Sequence, residues 1–105
     1  MTTNYTAPLA DIRFCLYDLL DVEKQFANLP GCESLNRELI DAVLDEAAKF
    51  SQAVLAPLNE IGDEQGCTFD QASGEVKTPE GFKRAYQQYV EGGWAGLTAP
   101  EAFGG

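Results

Sequence analysis

Hydrophobic residues recur at steps of three and four over much of the chain, and this spacing predicts a mostly helical fold. Near the N-terminus, Ile12, Leu16 and Leu19 fall on one side of a helix that we expect over residues 9 to 20. Residues 21 to 26 either continue this helix or begin a second short one. In both cases the proline and glycine at positions 30 and 31 end the helical run, because proline lacks a backbone N–H and glycine favours a turn.

The strongest pattern predicts a long amphipathic helix from residue 35 to residue 61. One wide face carries its apolar residues, which are Leu35, Leu39, Ile40, Val43, Leu44, Ala47, Phe50, Val54, Leu55, Leu58 and Ile61. We call this face the long-helix stripe. Ser34 or Asn36 is expected to cap the N-terminus with a side-chain oxygen. Pro57 lacks the backbone N–H and is expected to bend or end the helix near Ala53.

The last third of the chain predicts a loop followed by a C-terminal helix. Glycine, aspartate and serine interrupt the pattern over residues 62 to 77, where we expect at most a rudimentary hairpin. Thr78, Pro79 and Glu80 are typical of a helix start, and the pair Gly92 and Gly93 is typical of a helix end. The elements together predict an all-α fold with a short N-terminal helix, a long amphipathic helix, a C-terminal helix and irregular loops.

Composition excludes several classes of function. The 105 residues include 17 acidic and 7 basic side chains and no histidine, for a formal net charge of -10. Nucleic acids and anionic membranes attract basic surfaces, so neither is an expected partner. Without histidine the chain cannot form a Ser-His-Asp triad or a histidine zinc site. A chain of this length suits one small domain, which is too small to enclose a large cofactor.

The sequence also predicts a cellular location. It contains no apolar run of about 20 residues, the length that crosses a bilayer, and its N-terminus lacks the basic and apolar regions of a secretion signal. The three cysteines, Cys15, Cys32 and Cys67, form no Cys-x-x-Cys pair, which favours reduced and partly buried thiols. Cys15 falls within the apolar first helix, so we expect a buried and inert thiol there. These features predict a cytoplasmic protein without membrane insertion.

Three carboxylates on the long helix are candidates for a metal site. Asp41, Asp45 and Glu46 fall on or near one helical face, an arrangement that di-metal carboxylate bundles use. Those bundles also need histidine, so a solvated acidic face is the favoured interpretation. Asp45 precedes Lys49 by four residues, which predicts an ion pair between them.

Other candidate sites have simpler structural interpretations. The acid-rich residues 63 to 80 lack the spacing of a calcium-binding EF-hand, so we interpret them as a turn-rich connection. The glycines of residues 92 to 96 match no phosphate-binding motif and are interpreted as a helix end. Tyr86 and Tyr89 lie on the apolar side of the last helix and are interpreted as packing residues.

The order of residues after the last helix resembles the N-terminal α-domain of the acyl-CoA dehydrogenase family. In that family a helix ends in a glycine-tryptophan or similar step, a Gly-Leu follows, and a Pro-Glu-x-aromatic-Gly-Gly loop leads onward. The matching positions here are Gly93, Trp94, Gly96, Leu97, Pro100, Glu101, Phe103, Gly104 and Gly105. The opening Tyr5-x-Ala7-Pro8-Leu9-x-Asp11-Ile12-x-Phe14 is similar to the extra N-terminal segment of the larger bacterial subgroup that includes 3-methylmercaptopropionyl-CoA dehydrogenase-like proteins.

This resemblance implies an N-terminal extension over residues 1–34, with one or two short helices, and a partial α-domain over residues 35–105. It implies a parent enzyme that uses FAD and a glutamate base to dehydrogenate an acyl-CoA. It also implies that this base and the FAD site lie outside the chain, so we expect no catalytic, cofactor-binding or metal-binding residue here. The residues expected to line the acyl pocket or to contact missing domains are Trp94, Leu97, Phe103, Gly104 and Gly105.

Two functions remain open at this point. The chain is either the inactive N-terminal part of an FAD-dependent oxidoreductase of fatty acid metabolism or a non-enzymatic helical interaction module. Expected partners are the remaining domains of the parent enzyme and, for that parent, an acyl-CoA substrate. Both functions predict a homo-oligomer, because uncovered apolar surface favours association. We expect a two-fold dimer that buries the long-helix stripe.

Overall fold

A computed structural model describes residues 4–105, and residues 1–3 of the expected N-terminal extension lie outside the described part. The described chain divides into two compact units, residues 4–53 and residues 54–105. Helices dominate both units, and one pair of two-residue strands is the only sheet between residues 4 and 105. The expected all-α class is confirmed. Over the same residues, no helix is both long enough and apolar enough to cross a membrane.

The first unit begins with a short helix that changes from α to π geometry. Helix α1 (Leu9–Arg13) leads directly into a π-helical segment, π1 (Phe14–Leu19), and helix α2 follows (Val22–Ala27). The N–H of Leu20 donates to the carbonyl of Cys15, five residues earlier, over 2.9 Å. Asp21 then adopts a left-handed conformation with φ 48°, which breaks the helix. A second helix therefore starts after position 21. Of the two predictions for residues 21 to 26, the separate short helix is confirmed, and the continuation of the first helix is not.

Helical conformation resumes at α3 (Arg37–Phe50) and passes through a second π-helical segment, π2 (Ser51–Leu55), into α4 (Ala56–Gln65). Asn36 is the N-cap, because its side-chain oxygen accepts the Leu39 N–H over 2.9 Å. The segment π2 contains Ala53, whose carbonyl cannot receive an N–H from Pro57. Of the two expectations, a bend or an end near Ala53, the end is wrong, because helical conformation continues to Gln65; the α geometry is nevertheless interrupted there by π2.

The second unit contains a small hairpin and the last helix. Strands β1 (Thr68–Phe69) and β2 (Val76–Lys77) pair antiparallel, and helix α5 spans Phe82–Glu91. The prediction that this helix starts at residues 78 to 80 is wrong. Its N-cap is Gly81, whose φ of 88° lies in the left-handed region that glycine tolerates. The expected end is confirmed, since Gly92 is the C-cap and Gly93 follows with φ 77°.

Few side chains are buried, and many large apolar ones are exposed. The buried hydrophobic residues are Tyr17, Val22 and Ala48 in the first unit and Ala85 in the second. The long-helix stripe is only partly covered, with Leu39 at 44% and Leu55 at 42% exposure. Cys15 is exposed, so the expectation of a buried thiol is wrong. Tyr17 is the residue of π1 that lies buried.

Candidate functional site

The predicted site residues lie in two short turns after α5, which we call the C-terminal segment (residues 94–105). A 3-10 helix spans Trp94–Gly96, and a second spans Glu101–Phe103. An added Cβ at Gly92 would lie 2.8 Å from the indole Nε1 of Trp94. Glycine at position 92 therefore leaves room for the half-buried Trp94 ring beside the end of α5.

The C-terminal segment brings some of the predicted site residues together. An added Cβ at Gly96 would lie 3.4 Å from the Gly104 carbonyl oxygen and 3.5 Å from the Gly105 Cα, so the first turn lies close to the end of the segment. The Gly105 N–H donates to the Pro100 carbonyl over 3.1 Å, and this bond closes the second turn. Gly104 takes a φ of 90°, a left-handed conformation in which L side chains are strained.

Two apolar side chains of the predicted site, those of Leu97 and Phe103, are exposed to solvent. Leu97 is 62% exposed and Phe103 is 85% exposed. Each would contribute about 1.5–3 kcal/mol if another surface covered it fully. At the predicted site, Gly104 and Gly105 therefore form a backbone turn, whereas the side chains of Leu97 and Phe103 are exposed.

An apolar groove lies between α4 and α5 in the second unit. It has a volume of about 380 Å³ and is lined by Leu55, Leu58, Asn59, Phe82, Ala85, Tyr86 and Tyr89. We call it the α4–α5 groove. An added Cβ at Gly62 would lie 2.7 Å from the Phe82 ring, so this glycine permits the close approach of Phe82 to α4.

The two tyrosines at this groove pack against each other at the surface. Tyr86 is 67% exposed and Tyr89 is 37% exposed. Their rings stack on each other with centroids 6.4 Å apart and 28° between the planes. The buried position of α5 is Ala85, so Tyr86 packs on Tyr89 at the surface and not in the interior.

A second cavity of about 390 Å³ lies beside the hairpin. Its lining is more polar and comprises Asn59, Gly62, Asp63, Gly66, Cys67, Thr78, Pro79 and Phe82. Cys67 is exposed and lies outside any disulfide in the described residues. Among residues 4–105, no group of three or more histidine, cysteine, aspartate or glutamate side chains could hold a metal ion.

The first unit contains a polar cluster that the sequence did not predict, formed by Arg13, Tyr17, Arg37, Asp41 and Asp45. The Tyr17 hydroxyl donates to Asp41 Oδ1 over 2.6 Å, and the Arg37 guanidinium lies 4.0 Å from the centre of the Tyr17 ring. Arg13 donates to Asp41 over 3.2 Å and to Asp45 over 2.7 Å. The sequence contains one signal for this cluster, which is a spacing of four residues. It separates Arg13 from Tyr17, and it recurs from Arg37 to Asp41 and from Asp41 to Asp45.

These contacts change the acidity of the groups that form the cluster. The hydrogen bond from Tyr17, supported by Arg13, holds the pKa of Asp41 below its ordinary value. Burial, together with the hydrogen bond to Asp41, raises the pKa of Tyr17 to about 12. Neither group is matched to proton transfer near neutral pH. We therefore assign the cluster a structural role in joining the N-terminal helix to α3.

The carboxylates of α3 have partners that differ from those predicted. Asp45 binds Arg13, and Lys49 pairs with Glu46 over 2.9 Å. Lys49 therefore contacts Glu46 directly, and the predicted favourable pair with Asp45 is limited to a weaker charge attraction that helps to raise the pKa of Lys49. The sequence pattern considered only residues of one helix, whereas Arg13 comes from a helix more than 20 residues away in the chain.

Nearly the whole chain is similar to a short part of known acyl-CoA dehydrogenases. It is 35% identical over 105 residues to the 3-methylmercaptopropionyl-CoA dehydrogenase of Ruegeria pomeroyi, a match that covers 97% of this chain and 17% of that enzyme. The predicted resemblance to acyl-CoA dehydrogenases is confirmed. The butyryl-CoA dehydrogenase of Syntrophomonas wolfei is 35% identical over 91 residues, which cover 86% of this chain and 15% of that dehydrogenase.

A more distant dehydrogenase matches over a similar range. The broad-specificity linear acyl-CoA dehydrogenase FadE5 of Mycobacterium tuberculosis is 28% identical over 106 aligned positions, which cover 98% of this chain and 17% of that enzyme. No protein-family model matches the chain. The chain spans about a sixth of the length of the curated dehydrogenases that it matches.

Proposed function

We propose that this chain is the N-terminal helical part of an FAD-dependent acyl-CoA dehydrogenase. Such an enzyme removes the α-proton of an acyl-CoA with a glutamate base while the β-hydrogen leaves as hydride to the flavin, which forms the α,β double bond. The observation that carries the proposal is the 35% identity to 3-methylmercaptopropionyl-CoA dehydrogenase over 97% of the chain. In this proposal residues 1–34 form an extension and residues 35–105 form part of the α-domain.

We further propose that the catalytic base and the FAD site are supplied by segments outside these residues. The lining of the two described cavities supports this division. The α4–α5 groove is lined by apolar side chains, two tyrosines and a single amide, and none of these carries the positive charge that would neutralise a pyrophosphate. The cavity beside the hairpin contains Asp63, whose charge opposes a phosphate. The residues that line these cavities therefore do not fit FAD.

In the proposed enzyme, the C-terminal segment contacts the remaining domains or forms part of the acyl-pocket wall. The residues given this role are Trp94, Leu97, Phe103, Gly104 and Gly105. Its support is the exposure of Leu97 and Phe103, which leaves apolar area available for another surface. We place the proposed enzyme in the cytoplasm and in fatty acid metabolism, and the three free cysteines are consistent with a reducing compartment.

A chimera tests the proposed function. This chain replaces the matched segment of the Ruegeria pomeroyi enzyme, and flavin absorbance and oxidation of 3-methylmercaptopropionyl-CoA are measured. We expect the chimera to bind FAD and to retain activity, and we expect the 105-residue chain alone to show neither property. A folded chimera without flavin would contradict the role as part of a dehydrogenase. Stoichiometric FAD on the chain alone would contradict the proposed division of the site.

The alternative is a non-enzymatic helical interaction module. The exposed apolar side chains at both ends of the chain favour it, with Leu19 at 68% and Phe103 at 85% exposure. The chimera separates the two functions, because a module unrelated to catalysis would not restore acyl-CoA oxidation.

A further inference from the structure

The segment π1 changes which side chains of the N-terminal helix are buried. In an α-helix, a rotation of about 100° per residue would bring Leu19 within about 20° of Ile12, on the same side of the helix. In the structure Leu19 is instead 68% exposed, and Tyr17 is the buried residue of the segment at 8% exposure. The segment therefore buries a tyrosine where the α-helical pattern would bury a leucine.

The backbone geometry explains this exchange. Hydrogen bonds in a π-helix run to the fifth residue instead of the fourth, so each residue turns roughly 20° less about the helix axis. One turn differs little from an α turn, but the difference accumulates over the six residues of Phe14–Leu19. The accumulated rotation is about 80° at Tyr17 and about 120° at Leu19. It brings Tyr17 toward the side of Ile12 and turns Leu19 away from it.

Contacts with α3 hold the rotated segment in place. The Tyr17 hydroxyl donates to Asp41 Oδ1 over 2.6 Å, and the Arg37 guanidinium lies 4.0 Å from the centre of the Tyr17 ring. Arg13, one turn earlier, donates to the same carboxylate oxygen over 3.2 Å. Two donors of the N-terminal helix therefore meet one acceptor on α3, and together they fix the rotation of this helix about its own axis.

The end of π1 carries backbone strain. The Leu20 N–H donates to the Cys15 carbonyl over 2.9 Å, and Asp21 then takes the left-handed conformation with φ 48°. A strained conformation at a residue other than glycine persists only where the surrounding contacts determine it. The contacts with α3, and not the local preference of the backbone, therefore select the observed geometry.

We propose that residues 14–19 form a two-state segment in which the hydrogen bond from Tyr17 to Asp41 selects the π form. In the alternative α form, Leu19 turns to the side of Ile12 and Tyr17 leaves Asp41. Each form buries one large side chain, so a single hydrogen bond to a charged acceptor decides between them. This contact thereby controls whether Leu19 faces solvent. Both forms involve only residues of the first unit and are independent of the enzymatic role.

NMR of the isotopically labelled 105-residue chain distinguishes the two forms at the Leu20 amide. The scalar coupling across its hydrogen bond reaches the Cys15 carbonyl in the π form and the Leu16 carbonyl in the α form. We expect the wild type to show the coupling to Cys15. Tyr17→Phe keeps the ring but removes the donor, and we expect the ratio of π form to α form to fall about tenfold or more.

A second readout and matched variants accompany this measurement. A soluble paramagnetic agent should broaden the Leu19 methyl signals in the wild type, and Tyr17→Phe should protect them. Asp41→Ala removes the acceptor and should change both readouts in the same direction. Tyr86→Phe deletes a hydroxyl from an exposed tyrosine of α5 and is the control, with both readouts expected to match the wild type.

Leu19→Glu tests the alternative form independently, because a charged side chain disfavours burial at position 19. This position is exposed in the π form, so the variant should fold, as judged by circular dichroism, and keep the coupling from Leu20 to Cys15. In combination with Tyr17→Phe, Leu19→Glu should restore the π form.

Three results would overturn the proposal. The first is a wild-type coupling from Leu20 to Leu16. The second is a folded Tyr17→Phe or Asp41→Ala chain with the ratio of the wild type. The third is a Leu19→Glu chain that unfolds or loses the coupling to Cys15, and this result is decisive even if Tyr17→Phe and Asp41→Ala fail to fold.

Discussion

The cap of α3 is a precise test of how the sequence directs this fold. Asn36 has an extended backbone, with φ -108° and ψ 171°, and its Oδ1 accepts the Leu39 N–H over 2.9 Å. Asn36→Ala removes this acceptor and leaves one more amide of the first turn without a protein partner. We expect the free energy of unfolding to fall by about 1 kcal/mol. In a domain of about 60–100 residues this lowers Tm by about 4–8 °C.

Matched variants distinguish the cap from a general effect of substitution. Asn36→Ser keeps an acceptor and should remain close to wild type. Ser34→Ala removes the other cap residue that the sequence allowed, and it should change stability by less than about 0.5 kcal/mol. Urea unfolding followed by circular dichroism measures stability, and hydrogen exchange of the Leu39 amide measures the bond itself. Equal losses for Asn36→Ala and Ser34→Ala, or an unchanged Leu39 exchange rate, would refute the reasoning.

Three further predictions concern the polar cluster and the end of α5. The folded pKa of Asp41 lies below its ordinary value of 3.8, so its contribution is present above pH 3.8 and is lost as pH falls below it. Urea midpoints should fall less steeply on acidification in Asp41→Asn, and equal slopes would contradict this. The folded pKa of Tyr17 is raised from 10.0 to about 12, so its contribution is present below pH 10 and is lost as pH rises through 12. Tyr17→Phe should lack that alkaline loss, and an unchanged pH profile would exclude the assignment. Gly92→Ala places a Cβ 2.8 Å from the indole of Trp94, the single tryptophan, and should displace it. Its fluorescence maximum should shift to longer wavelength, whereas an unchanged spectrum would show that the ring did not move.

The sequence indicated the burial of the C-terminal segment less completely than it indicated the helices. The order of residues from Gly93 to Gly105 carried the resemblance to acyl-CoA dehydrogenases, and the relatives confirm it. The sequence did not indicate that Leu97 and Phe103 are exposed while Trp94 is half-buried. Apolar residues in a turn-rich segment have no period, so their spacing cannot show which of them another element covers.

The sequence by itself determined most of the helices and some of their ends, such as the N-cap Asn36 and the C-cap Gly92. Steps of three and four specified the helical segments, and Gly92 with Gly93 specified where α5 stops, because these signals act between neighbours in the chain. The π geometry at Phe14–Leu19 and Ser51–Leu55 was not predicted. An α-helix and a short π segment bury side chains at similar sequence spacings, so the hydrophobic periodicity does not distinguish the two geometries.

Only the tertiary structure decided which partners and faces are used. Asp45 binds Arg13 rather than Lys49, and Asp41 binds Tyr17, because folding brings together residues that are distant in the chain. Cys15 is exposed although it lies in an apolar helix. A periodic pattern identifies a hydrophobic face, but the elements packed around it determine how much of that face is removed from water.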